Sequence, residues 1–349
     1  MGNIADITLY TIIRDYFTTY LPKHRGSSPH TIRAYKSALD TFLDFTKKLH
    51  GINLTAIRFE MLDSTVLLKY LDSLEEGGCS VSTRNHKLKC IRSFFAYAAA
   101  AEPVAVIYKQ EISKVQMKKQ TEQIGIKYMN ENAINALLEQ SDPLSQKGLR
   151  NQFLMLLMYD TAARVQETVD LRLCDIRLGK TPVIMIQRGK GGKAREVPLM
   201  KQTVAHFQNY KNVFHPDESA YAQSPLFYMM RGDTKSALDP STVRKLIAAC
   251  GRAARESCRE VPEQVHPHML RHSRAMHLYQ HGMDLTLLSQ WLGHSHLDTT
   301  LIYASADTEQ KRKAIEVATP KNSKLKKKLD AKRYTVSDDE TLKKLYGLR

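Results

Sequence analysis

His268-Met269-Leu270-Arg271 is followed by Leu292-Gly293-His294-Ser295 and, nine residues after His294, by Tyr303. An arginine and two histidines that can donate to one oxyanion, ahead of a tyrosine with no metal-ligand cluster beside it, suit phosphodiester chemistry with the phenol as nucleophile. A phenol of pKa about 10 attacks poorly until a base or a positive field assists it. His268 and Arg271 stand three apart in a stretch, Pro267 to Tyr279, that reads as a helix with proline near its first turn. Both side chains then point from one face at one ligand. Leu285, Leu287, Leu288, Trp291 and Leu292 repeat at helical spacing up to Gly293, a suitable C-cap that leaves His294 just past the helix end.

The matching upstream half is Thr161-Ala162-Ala163-Arg164-Val165-Gln166-Glu167, at the end of an apolar helix containing Phe153, Leu154, Leu156 and Leu157. Arg164 completes a two-guanidinium clamp on the non-bridging oxygens of a phosphate, and Glu167 is placed to orient it. Val183-Ile184-Met185-Ile186-Gln187, the run Gly189-Lys190-Gly191-Gly192-Lys193, and Arg195-Glu196-Val197-Pro198-Leu199 read as a β-hairpin with a lysine at its tip. Taken singly, each feature has an ordinary structural reading. The histidine and arginine of H-x-x-R suit a structural pair, His294 a helix cap, the glycine run a solvated turn, and Tyr303 is one of sixteen tyrosines. Their joint order and spacing set them apart.

The ordered set Arg164, Glu167, Lys190, His268, Arg271, His294 and Tyr303 resembles the active site of the tyrosine recombinase (phage integrase) family. Its motifs have the form R-x-x-E, G-K-G, H-x-x-R, L-G-H-S and a terminal Y. The resemblance runs from about Thr8 to about Val317. It implies that Tyr303 attacks the scissile phosphate, giving a 3′-phosphotyrosyl bond and a free 5′-hydroxyl. Arg164 and Arg271 would neutralise the phosphorane and His294 would donate to it. Lys190 would be the general acid for the departing oxygen, with Lys193 the alternative, His268 would assist proton removal from Tyr303, and Glu167 would buttress the site. Because the phosphotyrosine link conserves bond energy, no ATP, metal or other cofactor is expected. The family commonly has Thr-Gly-Leu before its first arginine; Thr161-Ala162-Ala163 departs from that, with a packing consequence expected.

Charge points to the same partner. The chain of 349 residues carries 52 Lys+Arg against 36 Asp+Glu, a formal charge of +16, which favours a polyanion. Double-stranded DNA carrying an inverted-repeat site is the implied partner, bound by a homo-tetramer on paired sites. His266, His272 and His296 lie near the motifs, but no H-E-x-x-H or C-x-x-C spacing supports a metal site. Five scattered cysteines, Cys79, Cys90, Cys174, Cys250 and Cys258, read as free thiols in a reducing compartment. No apolar run is long enough for a bilayer and no signal peptide is evident, so a cytoplasmic, nucleoid-associated protein without membrane contact is expected.

The elements that must position these residues form a mainly α protein: a helical, SAM-like core-binding bundle and a mixed α+β catalytic domain with a small β-hairpin or sheet. Residues 1–102 read as four helices, Ile7 to Leu21, Pro29 to Leu49, Thr65 to Glu76 and Ser82 to Ala101. Ser28 caps the second, whose stripe is Ile32, Tyr35, Leu39, Phe42 and Phe45. The polar opening of the fourth helix, with Ser82, Thr83, Arg84, Asn85 and Lys87, suits a major groove, or else an ordinary solvated face. Thr31, Arg33 and Lys193 join it as contact candidates. Residues 103–125 read as a basic linker and 126–318 as the catalytic domain. There Asp239-Pro240 opens a helix whose Ser241, Arg244 and Lys245 are DNA-contact candidates by the family comparison.

Residues 319–349 read as a basic tail, after a helix from Thr308 to Val317. Its lysine-rich part is Lys321 to Arg333, and Ser337-x-x-Glu340 suits the start of a short helix through Leu345. The tail has two readings, docking on a neighbouring protomer or a basic extension. So little chain precedes the first helix that no separate arm-binding domain is expected. Besides a site-specific recombinase serving integration, transposition or dimer resolution, two classes share features: a type IB topoisomerase, and a non-catalytic DNA-binding regulator. The L-G-H-S motif and the helical first domain weigh against the first, and the full catalytic set against the second.

Overall fold

The computed structural model describes residues 7–119, 126–187, 194–294, 296–306, 312, 315–316 and 339–347. The chain divides into two compact units, Met1–Glu122 and Gln123–Arg349.

In the first unit, α1 (Ile7–Asp15) runs on as a wider, π-type helix, Tyr16–His24, around Pro22, followed by α2 (Pro29–His50), α3 (Ser64–Glu76) and α4 (Val81–Ala101). Local chemistry sets the ends. Ser28 accepts from the Thr31 amide at 3.2 Å with Pro29 in the first turn, and Gly51 closes α2 in the left-handed region at φ 64°. Ser80, two residues earlier than the sequence reading placed the start, caps α4. Leu39 and Phe42 of the stripe are buried with Tyr16, Tyr70, Phe94 and Phe95, each such side chain contributing about 1.5–3 kcal/mol by leaving water.

Residues 103–119 are not the bare linker expected. Ala105–Lys114 form α5, which packs on α4 and buries Ala105 and Ile112, with Val115 just beyond. Pro103 stands just ahead of this helix, where its missing amide costs nothing. Arg92 donates to the carbonyls of Ile112, Ser113 and Val115, satisfying groups that a helix C-terminus leaves open.

The second unit holds α6 (Glu131–Leu138), α7 (Gln146–Thr161), the short α8 (Val165–Val169), α9 (Lys201–Phe214), α10 (Pro240–Ser257), α11 (Pro267–Gln280), α12 (Leu285–Leu292) and α13 (Asp298–Ala306). Strands β1 (Ile176–Arg177), β2 (Val183–Ile186) and β3 (Arg195–Pro198) form an antiparallel sheet in that order, with Ile186 opposite Arg195. The expected hairpin is thus β2–β3, while its tip, with Lys190 and Lys193, lies outside the described residues. A second hairpin, β4 (Tyr228–Arg231) and β5 (Thr234–Ala237), turns at Gly232, φ 58°, and was not foreseen.

Helix α7 packs against α9 and α11. Its Phe153 meets the rings of Tyr210, Phe227 and Phe207 in the main core. A smaller cluster gathers Ala162, Ala275, Met276, Leu288, Leu292 and Tyr303, joining the end of α7 to α11, α12 and α13. Asp339–Leu345 form the expected terminal helix, while the lysine-rich stretch before it and most of the expected helix from Thr308 to Val317 lie outside the described residues.

Candidate active site

Helix α7 ends at Ala162, whose backbone is left-handed (φ 47°, ψ 30°) and whose methyl is buried in the smaller cluster. This is the position where the family commonly has glycine, so the departure in sequence is a departure in strain. The reversal sets Arg164 at the N-cap of α8. Glu167, one turn on, accepts from the Arg164 amide at 2.9 Å and from its guanidinium at 2.7 Å.

Arg195 on β3 reaches the same carboxylate from the other side, donating at 3.2 Å to Oε1 and 2.7 Å to Oε2. Burial alone would raise Glu167, but the hydrogen bonds and charge of Arg195, with those of Arg164, carry it down to about 2. Sequence reasoning assigned Arg195 to a strand and nothing more; its partner is 28 residues away, and no local pattern signals that.

Arg271 is buried on α11. It donates at 2.6 Å to the carbonyl of Ala162 and at 2.7 Å to that of Leu292, the ends of α7 and α12. A cation at two helix C-termini is well placed electrostatically. Burial and the neighbouring Arg164 lower it to about 9, which leaves it charged at neutral pH. Gly293 closes α12 at φ 65°, as the spacing suggested, and presents His294. The His294 Nδ1 lies 2.8 Å from the hydroxyl of buried Thr300, a partner not foreseen, on α13. Burial, then Arg271 and Arg164, hold His294 at about 4, so it is a neutral imidazole.

Tyr303 on α13 is fully buried. Burial pushes its phenol up to about 12, against the opposing pull of Arg271 and Arg164. The hydroxyl lies 2.9 Å from Nδ1 of His272, not of His268, to which the resemblance gave proton removal. His268 is exposed; partial desolvation and then Arg271 lower its pKa, with Arg244 among the nearby charges. His272 was set aside on the sequence as one more non-ligand histidine. Its spacing of four from His268 was the available signal, since it puts both on the face that carries Arg271.

The DNA-contact candidates divide. Arg33, Ser82, Thr83, Ser241, Arg244 and Lys245 are exposed, and Thr31 is half-buried with its hydroxyl 2.9 Å from that of Ser28. Arg84 and Asn85 are corrected: both are buried. Arg84 pairs with Glu75 at 2.8 Å, and Asn85 exchanges hydrogen bonds with the Lys118 backbone at 2.8 and 3.1 Å. Both hold the segment after α5 in place. Lys87 donates to Thr41 at 3.0 Å and Tyr70 at 3.3 Å within the bundle. Among the described residues no helix is long and apolar enough to cross a membrane.

Comparison with known proteins gives the family and the fold. Residues 15–102 match the phage integrase N-terminal SAM-like domain. Tyrosine recombinase XerA of Pyrococcus horikoshii is 29% identical over 306 residues, covering 88% of this chain and 93% of that protein. Tyrosine recombinase XerC of Bacillus subtilis is 29% identical over 299 residues, covering 85% and 92%. In fold, the chain is similar to the XerH site-specific recombinase bound to a palindromic difH substrate, with TM-score 0.64, 22% identity and 91% of each chain covered. It is also similar to the Tn1549 transposon integrase in complex with transposon right end DNA, with TM-score 0.65, 17% identity and 89% and 98% covered. Residues 127–310, more than half of the chain, match the phage integrase family itself, and the protein belongs to that family, the tyrosine recombinases.

Proposed function

We propose that this protein is a site-specific DNA recombinase that cleaves and rejoins strands through a 3′-phosphotyrosyl intermediate at Tyr303. The observation that carries the reading is the setting of Tyr303. Its phenol, on α13, lies in the field of Arg164 and Arg271, which come from elements far apart in sequence yet both oppose the effect of its burial. A phosphate beside these guanidiniums would have its charge matched by fork-shaped donors that stay protonated. In the tautomer in which Nδ1 of His294 accepts from the Thr300 hydroxyl, Nε2 carries the proton and is the donor for a phosphorane oxygen. Lys190, in the sequence between β2 and β3, is the lysine that the family resemblance assigns to protonating the 5′-oxygen.

The charge of +16 and the exposed Arg33, Arg244 and Lys245 support double-stranded DNA as the substrate, and the family resemblance implies that its site is an inverted repeat. Both strands of two sites must be cut in an exchange, which requires four nucleophiles and therefore a tetramer on paired sites. Trapping on a nicked suicide duplex tests the reading. The wild-type protein leaves a covalent adduct on a denaturing gel, and Tyr303→Phe, which lacks only the hydroxyl, binds equally and leaves none. An undiminished adduct in that variant would place the nucleophile elsewhere.

A further inference from the structure

His272 occupies a position in the site that the family resemblance left without a role. Its Nδ1 is 2.9 Å from the Tyr303 oxygen, with ring centroids 5.9 Å apart at 53°. The other groups nearby are otherwise engaged. Glu167 takes up Arg195 and one arm of Arg164, Arg271 donates to two backbone carbonyls, and His294 is held through Nδ1 by Thr300. The ring of His268 stands one turn back on α11, its centroid 6.4 Å from that of His272.

We propose that His272 is a catalytic residue, the base that receives the Tyr303 proton during strand cleavage and returns it during rejoining. The inference rests on the recombinase reading. In cleavage the O–H bond of Tyr303 breaks, its proton passes to Nδ1 of His272, the phenolic oxygen bonds to phosphorus, and the bond from phosphorus to the 5′-oxygen breaks. That oxygen takes its proton from the general acid, the role proposed for Lys190. Rejoining runs the same transfers backwards, so no co-reactant is consumed.

Two features favour this base. His272 follows Arg271 directly on α11, so it stays beside the phosphate-binding guanidinium however α13 adjusts to DNA. Its surroundings also keep it neutral and able to accept. Burial first, then His268, Arg271 and His266, lower it to about 4, and His294 and Tyr303 are the other titratable groups facing it. With the phenol held up near 12, the proton stays on Tyr303 in the free protein. A bound phosphate brings negative charge to the same groups and offsets the cationic field, which raises the imidazole toward the range of an effective base.

The test uses the full-length protein on a nicked suicide duplex carrying a site that gel-shift selection from random duplexes has shown it to bind, under single-turnover conditions. His272→Ala should bind normally, with a wild-type melting temperature, and form the adduct about 10²–10⁴-fold more slowly. His272→Asn, which keeps a polar contact but no basicity, should be equally slow. Replacing Tyr303 with a fluorinated tyrosine of lower phenol pKa should then recover at least tenfold of the rate in both variants, and little in wild type or in His268→Ala. Wild-type cleavage by His272→Ala, a defect that the fluorinated phenol does not relieve, or relief confined to His268→Ala would each overturn the assignment. Failure of the wild-type protein itself to form an adduct dependent on Tyr303 would instead remove the recombinase reading, and the inference with it.

Discussion

Arg195 grips both carboxylate oxygens of Glu167, at 3.2 and 2.7 Å, while Glu167 holds Arg164 from the opposite side. The carboxylate therefore joins β3, the second strand of the hairpin, to the turn that carries the first arginine of the clamp. Arg195 also lies against Gly293: a Cβ there would come within 3.1 Å of its Cδ. One side chain of the hairpin thus touches both Glu167, which supports Arg164, and Gly293, which presents His294. Arg195→Lys keeps the charge but loses the fork, and is expected to slow covalent adduct formation by about 10–100-fold with a smaller change in DNA affinity, because misplacement by an ångström has effects of that size. Single-turnover cleavage at saturating protein measures it; wild-type rates in Arg195→Lys would show that the fork is dispensable.

The same carboxylate imposes a pH signature. Its ordinary value of 4.5 is depressed to about 2 in the fold, so its contribution to stability is fully present above about 4.5 and is lost as pH falls through 2. At neutral pH Glu167→Gln leaves two guanidiniums without their counter-charge, a loss on the order of 3 kcal/mol. Denaturant melts of the two proteins across pH should converge as pH approaches 2. A constant gap would mean that Glu167 is not ionised in the native state.

How much of this was legible in the chain depends on the range of the interaction. Arg271 and His294 were readable because helical spacing and a glycine C-cap specify where each side chain points, whereas Tyr303 stood out only by its distance from His294 and the family's terminal tyrosine, with no sign of the helix α13 that carries it. Arg195 and Thr300 act through contacts with residues from other elements, which spacing does not encode. Arg84 and Asn85 looked like a polar helix face because their partners, Glu75 on α3 and the Lys118 backbone after α5, come from elsewhere in the bundle. The β4–β5 hairpin, with Met229 and Met230 exposed, has no alternating pattern to betray it. Ala162 was visible as a departure from the family pattern, but only the backbone angle shows what the departure costs.

Ala162 yields its own prediction. Its left-handed backbone at φ 47° costs an alanine about 1–2 kcal/mol, which glycine avoids. Glycine also gives up one buried methyl, a loss of about 0.8 kcal/mol. Ala162→Gly should therefore change stability by no more than about 1 kcal/mol. Ala275→Gly, in the same cluster but inside α11, has no strain to relieve and should cost about 2 kcal/mol from lost helix propensity and burial. Urea melts of both variants decide it; equal losses would show that Ala162 is unstrained in solution.

Leaving-group chemistry separates Lys190 from Lys193. If Lys190 protonates the 5′-oxygen, Lys190→Ala cleaves an ordinary phosphodiester about 10²–10⁴-fold more slowly. It recovers on a 5′-bridging phosphorothiolate, whose sulfur leaves without a proton. Lys193→Ala should show no selective recovery, and the opposite pattern would move the role to Lys193.

The corrected first-unit contacts predict that two arginines fail in different ways. Arg84 is 4% exposed in its side chain and paired with Glu75, which Lys118 also holds, so Arg84→Ala should destabilise the protein by about 3 kcal/mol. Its effect on DNA binding should follow only from that loss and disappear at temperatures where the variant is fully folded. Arg244, exposed at the start of α10, should behave oppositely. Arg244→Ala keeps stability within about 0.5 kcal/mol of wild type, while the slope of log affinity against log salt falls by about 0.9 for the lost phosphate contact. Thermal melts run beside gel-shift titrations over a salt series distinguish the two. If Arg84→Ala melted like wild type yet lost a salt-dependent contact, Arg84 would be on the DNA after all, and the bundle would have to release it from Glu75 on binding.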